Sequence, residues 1–565
     1  MEEHMYIAEK KSANNENEKL ESLIEKFYHK EKSLKDKTFL RQPKGDSWIE
    51  YSWQEVGRQA RCIASALIAM NLPPKSNIGI VSKNCAHWIM NDLAIMMSGH
   101  VSVPFYPNLN ADQLEHVLEH GEVKVLFVGK LDNWDLMKPG VIGDIKCVAY
   151  PNSPATEYEN WDDLLQKHEP LEGDPKPNLQ EIATIIYTSG TTGRPKGVMV
   201  TNEQNATVMK SVEQIIPLYE TEQRFFSFLP LCHVAERGVV ETCSIYSGGT
   251  ISFVESIDTF VKNLQDTQPT IFFAVPRIWT KFQLGVLEKM PQKKLDFLLK
   301  TPILSGIIKK KILTKLGLGK VVMAFTAAAP TPKSLHLWYQ KLGLKLLELY
   351  GMTENAGACT VMPPQAFKLE TIGIPYPGVD LKIDPKTSEI LMMSDWVMKG
   401  YYREPEMTAE VLKNGYLHTG DMGKVDEDGY LKITGRVKDI FKTAKGEYVV
   451  PGPIEWDFSA DAYIEQICVM GTGLPQPIAL VQLSEVGKAA EKSAVEHSFS
   501  TLLTLINAKT VDYQKVKKVV ITKDEWNIEN DIITPTMKIK RNKIDALYLE
   551  KAEKWYKQAD VVLWE

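Results

Sequence analysis

Between residues 51 and 255 the chain alternates two textures. Apolar residues recur at helical spacing from Val56 to Met70 and from Trp88 to Ser98. Short continuous apolar runs separate them, such as Ile78-Gly79-Ile80-Val81 and Lys124-Val125-Leu126-Phe127-Val128. The first pattern predicts helices with one buried face, the second strands covered on both sides. Their alternation predicts an α/β fold, a mainly parallel sheet under helices. The runs Ala183-Thr184-Ile185-Ile186-Tyr187 and Thr270-Ile271-Phe272-Phe273-Ala274-Val275 predict further strands of this kind. From 373 to 435 the texture changes to short alternating strands with tight turns, as in Asp428-Gly429-Tyr430-Leu431-Lys432-Ile433. A tail of about 130 residues follows, the size of a small domain, with mixed strand and helix patterns. The break predicts a hinge at 436–439 and two domains, 1–435 and 436–565.

Bulk properties narrow the class. A chain of 565 residues exceeds what one core of about 250–300 residues supports. Charged content of 24% and a net charge of −6 give no sign of a nucleic-acid partner. The polar start up to Lys37 lacks the basic and apolar regions of a signal peptide. No apolar segment reaches the roughly 18–20 residues that span a bilayer. The seven cysteines are scattered without a C-x-x-C pair, which predicts buried, inert thiols in a reduced, cytoplasmic setting.

The most informative stretch is Tyr187-Thr188-Ser189-Gly190-Thr191-Thr192-Gly193-Arg194-Pro195-Lys196-Gly197-Val198. A strand here opens into a loop of hydroxyls and glycines with one cation, Lys196. Glycine permits the turns and close approach that let backbone N–H groups surround an anion. It is not a Walker A loop, because Lys196 precedes Gly197 and Pro195 blocks the helix that should begin there. A triphosphate is the ligand this loop suits.

Four other segments carry matching chemistry. Tyr350-Gly351-Met352-Thr353-Glu354 ends an apolar run with an aromatic face, a hydroxyl and a carboxylate, which suit a base, a phosphate and a magnesium ion. In Tyr416-Leu417-His418-Thr419-Gly420-Asp421 the carboxylate can accept two ribose hydroxyls. Gly435-Arg436-Val437-Lys438-Asp439 places two cations at the predicted hinge. Thr534-Pro535-Thr536-Met537-Lys538-Ile539-Lys540-Arg541 supplies a mobile ammonium that can neutralise two meeting anions, with Lys538, Lys540 and Arg541 as rivals for that role.

Together these motifs resemble the adenylate-forming enzymes: acyl-CoA synthetases, luciferases and nonribosomal-peptide adenylation domains. The resemblance runs over nearly the whole chain beyond its first forty or so residues. It implies a large N-terminal domain with a distorted β-barrel-like subdomain and a small α+β C-terminal lid. It also implies ATP-dependent activation of a carboxylate to an acyl-adenylate and pyrophosphate, with Mg²⁺, followed by transfer to CoA. In this likeness Thr188, Ser189, Gly190, Thr191, Thr192 and Lys196 hold phosphates, and Ala328 lies in the small-residue segment Phe325-Thr326-Ala327-Ala328-Ala329-Pro330 beside adenine. Tyr350 stacks on adenine, Gly351 and Thr353 approach the nucleotide, Glu354 ligates Mg²⁺, and Asp421 and Arg436 hold sugar and phosphate. Lys438 is the hinge, and Lys538, Thr188 and Glu354 form the catalytic set. Met537 stands where the family usually has glycine, as in long-chain members, and Gly452 stands where a larger polar residue is usual.

The segments Leu229 to Arg237 and Val275 to Lys281 resemble long-chain and very-long-chain acyl-CoA synthetases, so a fatty acid is the expected substrate. His233 and Trp279 are then expected to line the acyl tunnel, although each also reads as an ordinary core residue. Between Lys289 and Lys320 lie nine lysines and one acid, Asp296, interleaved with leucines and isoleucines. This reads either as a basic face for peripheral membrane contact or as core-packing helices with solvated lysines. Ligation to an acyl-carrier protein, an adenylate-only ligase and a catalytically silent lipid-binding protein remain alternatives.

Overall fold

The computed structural model describes residues 20–143, 145–188, 195–219, 222–459, 461–527, 530–534 and 538–565. An eight-stranded sheet forms the centre. Its order is Gly400–Tyr401, Lys196–Thr201, Ile182–Thr188, Val101–Phe105, Asn77–Val81, Val125–Val128, Lys146–Ala149 and Glu159–Asn160. The last six strands are parallel, and Lys196–Thr201 returns antiparallel to Ile182–Thr188. The predicted α/β alternation is thus present. The helices Trp53–Ala69 and Ala86–Met97 pack together on this sheet, the second buried along its whole length. Ser52 starts the first helix by accepting the Glu55 N–H, which satisfies one of the orphan donors at a helix start.

A second sheet runs Ile271–Ala274, Met323–Thr326, Leu346–Tyr350, Thr360–Val361, Ile374–Pro375, with its first three strands parallel. Strand alternation divides its faces. Ile271, Phe273 and Phe325 join the main core, whereas Phe272, Ala274 and Ala324 join a separate core with Trp279, Leu295 and Ile312 under the helices 276–315. A third sheet has order Arg224–Ser227, Thr250–Phe253, Thr38–Lys44, Ser47–Ser52.

The short-strand region forms an antiparallel sheet of Asp380–Ile383, Glu389–Met393, Tyr416–Val425, Leu412–Lys413 and Leu431–Arg436. It does not close, which corrects the barrel-like expectation. Leu412–Lys413 and Leu431–Arg436 share one edge of the long strand Tyr416–Val425, and nothing among the described residues joins them back to Asp380–Ile383.

Beyond residue 440 a four-stranded sheet, Ile464–Met470, Ile478–Leu483, Val519–Ile521, Val562–Trp564, is covered on both faces. Val469, Ala479 and Val481 face the helices Pro451–Phe458 and Lys492–Asn507; Cys468, Ile478 and Leu480 face the helix Arg541–Lys557. All seven cysteines are free and buried. Among the described residues no helix is long and apolar enough to cross a membrane.

Candidate active site

A cavity of about 1590 Å³ opens where the loops of the first two sheets, the open antiparallel sheet and the C-terminal unit meet. Hairpin pairing sets its first wall. Thr188 and Lys196 face each other in register at the ends of their strands, and both line the cavity. A strand, Lys196–Thr201, and not a helix begins after Pro195, in line with the reading of that proline. Ser189, Gly190, Thr191 and Thr192 lie outside the described residues.

The strand Leu346–Tyr350 delivers the second wall. The Tyr350 hydroxyl donates to Asp421 Oδ2 at 2.9 Å, and Arg436 Nε donates to Asp421 Oδ1 at 2.9 Å. Asp421 and Arg436 sit opposite each other in the ladder of Tyr416–Val425 and Leu431–Arg436, so the backbone itself fixes this ion pair. The Asp421 carboxylate raises the Arg436 pKa above its ordinary value. Burial and the same carboxylate push the Tyr350 phenol well up, which keeps it neutral. Gly351 is required for shape: a Cβ there would stand 2.1 Å from the Gly357 carbonyl oxygen. Its loop therefore lies flat against the next turn.

Glu354 is buried, and its Oε1 accepts the Tyr401 hydroxyl at 2.7 Å. The Lys196 ammonium lies over the Tyr401 ring at 5.0 Å from its centre. Burial lowers the Lys196 pKa, Glu354 opposes that fall, and Lys438 adds to it. Thr353 is buried beside them. Ala328 and Ala356, both lining the cavity, hold left-handed backbone at φ 71° and 52°. Such conformations cost about 1–2 kcal/mol outside glycine and collect at functional sites.

The C-terminal unit contributes the third wall. Ile533 and Ile539 pair as an antiparallel bridge, and Thr534 Oγ1 accepts the Lys538 N–H at 3.1 Å. Lys538 lines the cavity and its side chain keeps solvent contact because the cavity is wide. The surrounding protein lowers its ammonium pKa, Arg436 lowers it further, and Asp421 and Glu354 oppose the change. The rivals are otherwise engaged. Lys540 pairs with Asp531; Arg541 pairs with Asp439 at 3.0 Å and with both oxygens of Glu455. The exposed Lys438 lies on the short turn Val437–Asp439 and also lines the cavity.

Next to these polar groups the lining becomes apolar, with Val208, Met209, Val212, Cys243, Phe273 and Tyr376. The helix Asn202–Val212 presents Val208, Met209 and Val212 at i, i+1 and i+4, and a Thr201–Gln204 capping box anchors its start. His233 also lines the cavity. Its Nδ1 accepts the Ala235 N–H at 3.3 Å, and burial, with the Lys538 ammonium, lowers its pKa to about 4. It is a neutral imidazole near pH 7.

Trp279 is a correction. It does not line the cavity but lies fully buried one layer behind it, against Phe272, Phe282 and Tyr339. Its indole N–H donates to the carbonyls of Ala274 and Phe325, which satisfies a core tryptophan completely. Tyr401 is the residue sequence reasoning missed. The signal available was an aromatic directly after Gly400; the structure puts it on an edge strand against Lys196–Thr201.

The cations Lys196, Arg436, Lys438 and Lys538 around one cavity suit a polyphosphate. Among the described residues no group of three or more His, Cys, Asp or Glu side chains could hold a metal by itself. Glu354 therefore fits an ion that takes most of its ligands from phosphate and water, as magnesium does.

A sequence profile described as AMP-binding enzyme matches residues 27–402, and one described as AMP-binding enzyme C-terminal domain matches 438–560. Fatty acyl-CoA synthetase A of Dictyostelium discoideum is 30% identical over 590 residues, covering 90% of this chain and 87% of its own. Long chain acyl-CoA synthetase 3 of Arabidopsis thaliana is 28% identical over 592 residues, covering 91% and 88%. Among solved structures, the anthranilate CoA ligase AuaEII in complex with anthranoyl-AMP superposes with a TM-score of 0.79 at 19% identity, covering 95% of this chain and 99% of that one.

Proposed function

Because this chain belongs to the AMP-binding enzyme family, we propose that it is a long-chain fatty acid–CoA ligase using ATP, Mg²⁺ and CoA. The observation that carries this reading is a single cavity lined both by the cations Lys196, Arg436, Lys438 and Lys538 and by a set of apolar side chains, with Lys538 near enough to His233 to lower its pKa. The names of the fatty acyl-CoA synthetase relatives support the substrate class.

A fatty carboxylate is ionised at neutral pH and needs no base. One of its oxygens attacks the α-phosphorus, the α–β phosphoanhydride bond breaks, and pyrophosphate leaves with the electron pair. Lys538 neutralises the two anions as they meet, and Asp421, Arg436 and Tyr350 hold the nucleoside side. Thr188 and Lys196 stand at the phosphate end, and Glu354 would hold Mg²⁺, which supplies charge neutralisation on the phosphates. In the second step the CoA sulfur attacks the acyl carbon, the bond to the phosphate oxygen breaks, AMP leaves and the thiol proton is released. His233 is neutral and has the role of lining the acyl chain beside Lys538.

We also propose that 1–435 and 436–565 are separate domains hinged at Lys438, so that Lys538 can leave before CoA enters. Large lid motions let one site run two chemistries.

Palmitate-dependent pyrophosphate release, measured with and without CoA and with products identified by mass spectrometry, tests the reading. Continuous CoA-dependent turnover yielding palmitoyl-CoA is the expected result. A single release per enzyme, with palmitoyl-adenylate retained and CoA ignored, would move the acceptor to a carrier protein. Binding of acid and ATP without pyrophosphate release would make it a silent lipid-binding protein.

A further inference from the structure

The helices Gln292–Lys300 and Pro302–Lys315 pack against each other over the second sheet. That sheet turns Ile271, Phe273 and Phe325 toward the cavity and Phe272, Ala274 and Ala324 toward these helices. The helix pair is therefore the outer cover of a wall whose inner face is the cavity lining. Leu295 and Ile312 anchor it to the core.

Its outer face has an unusual composition. On the first helix Lys293, Phe297 and Lys300 follow at i, i+4 and i+7; on the second Leu304, Ile307 and Lys311 follow at i, i+3 and i+7, so each set shares a face. Phe297 is 71% exposed, Ile307 59% and Leu304 44%. None of the nine lysines between 289 and 320 forms an ion pair among the described residues, and the one acid, Asp296, is already engaged by Lys341 and Gln292. Large apolar side chains here stand in water with unpaired ammonium groups beside them.

We propose that this helix pair docks the enzyme on a bilayer surface bearing anionic headgroups. Charge complementarity and residue type select that partner. Protein interfaces are depleted of lysine, and a nucleic-acid backbone offers no place for Phe297, Leu304 and Ile307. A bilayer takes both: apolar tips enter the acyl boundary, while lysine stems extend and leave their charges among the phosphates. The surface goes beyond the ligase reading and does not depend on it, because binding is measured without turnover.

Flotation of the full chain decides it, with vesicles of phosphatidylcholine alone and of phosphatidylcholine carrying about 30% phosphatidylglycerol. The wild type floats with the anionic vesicles only, and high salt releases it. Phe297→Glu with Ile307→Glu lowers the bound fraction at least about tenfold, since two apolar anchors are replaced by like charges facing the headgroups. Lys311→Gln weakens binding about fivefold, as expected for one ammonium near a charged membrane, whereas Lys44→Gln, an exposed lysine on another sheet, leaves it unchanged. Melting temperatures equal to wild type show that these exposed substitutions leave the fold intact. Absence of flotation with anionic vesicles, flotation indifferent to lipid charge, or wild-type flotation by the Phe297/Ile307 variant overturns the proposal.

Discussion

Arg436 and Lys538 reach the same cavity from two units that hold them in opposite ways. Arg436 faces Asp421 across a strand ladder, and Tyr350 takes the second carboxylate oxygen. Lys538 sits beside the isolated Ile533–Ile539 bridge, and among the described residues its ammonium makes no ion pair. Its neighbours Lys540 and Arg541 are tied to Asp531 and to Glu455 and Asp439, all within the chain beyond residue 435. The difference teaches how one cavity can serve two reactions. A wall fixed by its own ladder needs no reorganisation when charge develops beside it. On the hinge proposed above, an ammonium that forms no ion pair with the opposite wall among the described residues leaves with its unit.

The largest effect follows from removing the untied cation. Lys538→Ala is expected to slow acyl-adenylate formation by about 10²–10³, the range for losing one donor to developing charge. Thioester formation from supplied acyl-adenylate should continue. Pyrophosphate release and acyl-adenylate consumption, measured separately, check this. Equal loss in both steps, or an equal loss from Lys540→Ala, breaks the distinction. Asp421→Asn attacks the fixed side. It leaves Arg436 without its charged partner and should raise the KM for ATP about 10–100-fold, from a charged hydrogen bond of about 1.5–3 kcal/mol. An unchanged KM would remove Asp421 from nucleotide binding.

Smaller effects sharpen the comparison within the cavity. Tyr401→Phe deletes the hydroxyl that orients Glu354, a net loss of about 1 kcal/mol or roughly fivefold, to be read as a raised Mg²⁺ requirement. A response in palmitate KM instead would detach Tyr401 from the phosphate end. His233 has its pKa lowered to about 4, so it is uncharged above that value and becomes protonated only as pH falls through it. His233→Gln should change the palmitate KM and leave the shape of the rate profile between about pH 6 and pH 9 unaltered. A titration step lost in that window would make the imidazole a proton carrier.

What the sequence disclosed follows the same line. Thr188, Lys196, Tyr350 and Arg436 sit in short motifs at strand ends, where the local pattern predicts both the strand and its exposed end; Glu354 follows in the turn after Tyr350, Asp421 lies within the long strand Tyr416–Val425, and all six line one cavity. Partners far apart in sequence were illegible: Tyr401 reaches Glu354 across 47 residues, and no local pattern announces it. Trp279 was misread because burial beside a cavity and burial in its lining give the same apolar signature. The barrel-like subdomain failed because short alternating strands do not reveal which edges pair. The left-handed Ala328 and Ala356 carry no signal in their own side chains; only the packed wall imposes their backbone.

The smallest effect tests whether the two units are held by anything specific at their surface. Arg277, which opens the helix over the second sheet, pairs with Glu465 on the strand Ile464–Met470, and both side chains keep solvent contact. Exposed pairs contribute about 0.2–1 kcal/mol, so Arg277→Ala should favour withdrawal of Lys538 by no more than about fivefold. Adenylation should fall slightly while the thioester step holds or quickens, and the gap should shrink at high salt, which screens the wild-type pair. A deficit equal in both half-reactions would mean that Arg277 supports the fold of its own unit and that the pair does not bias the lysine.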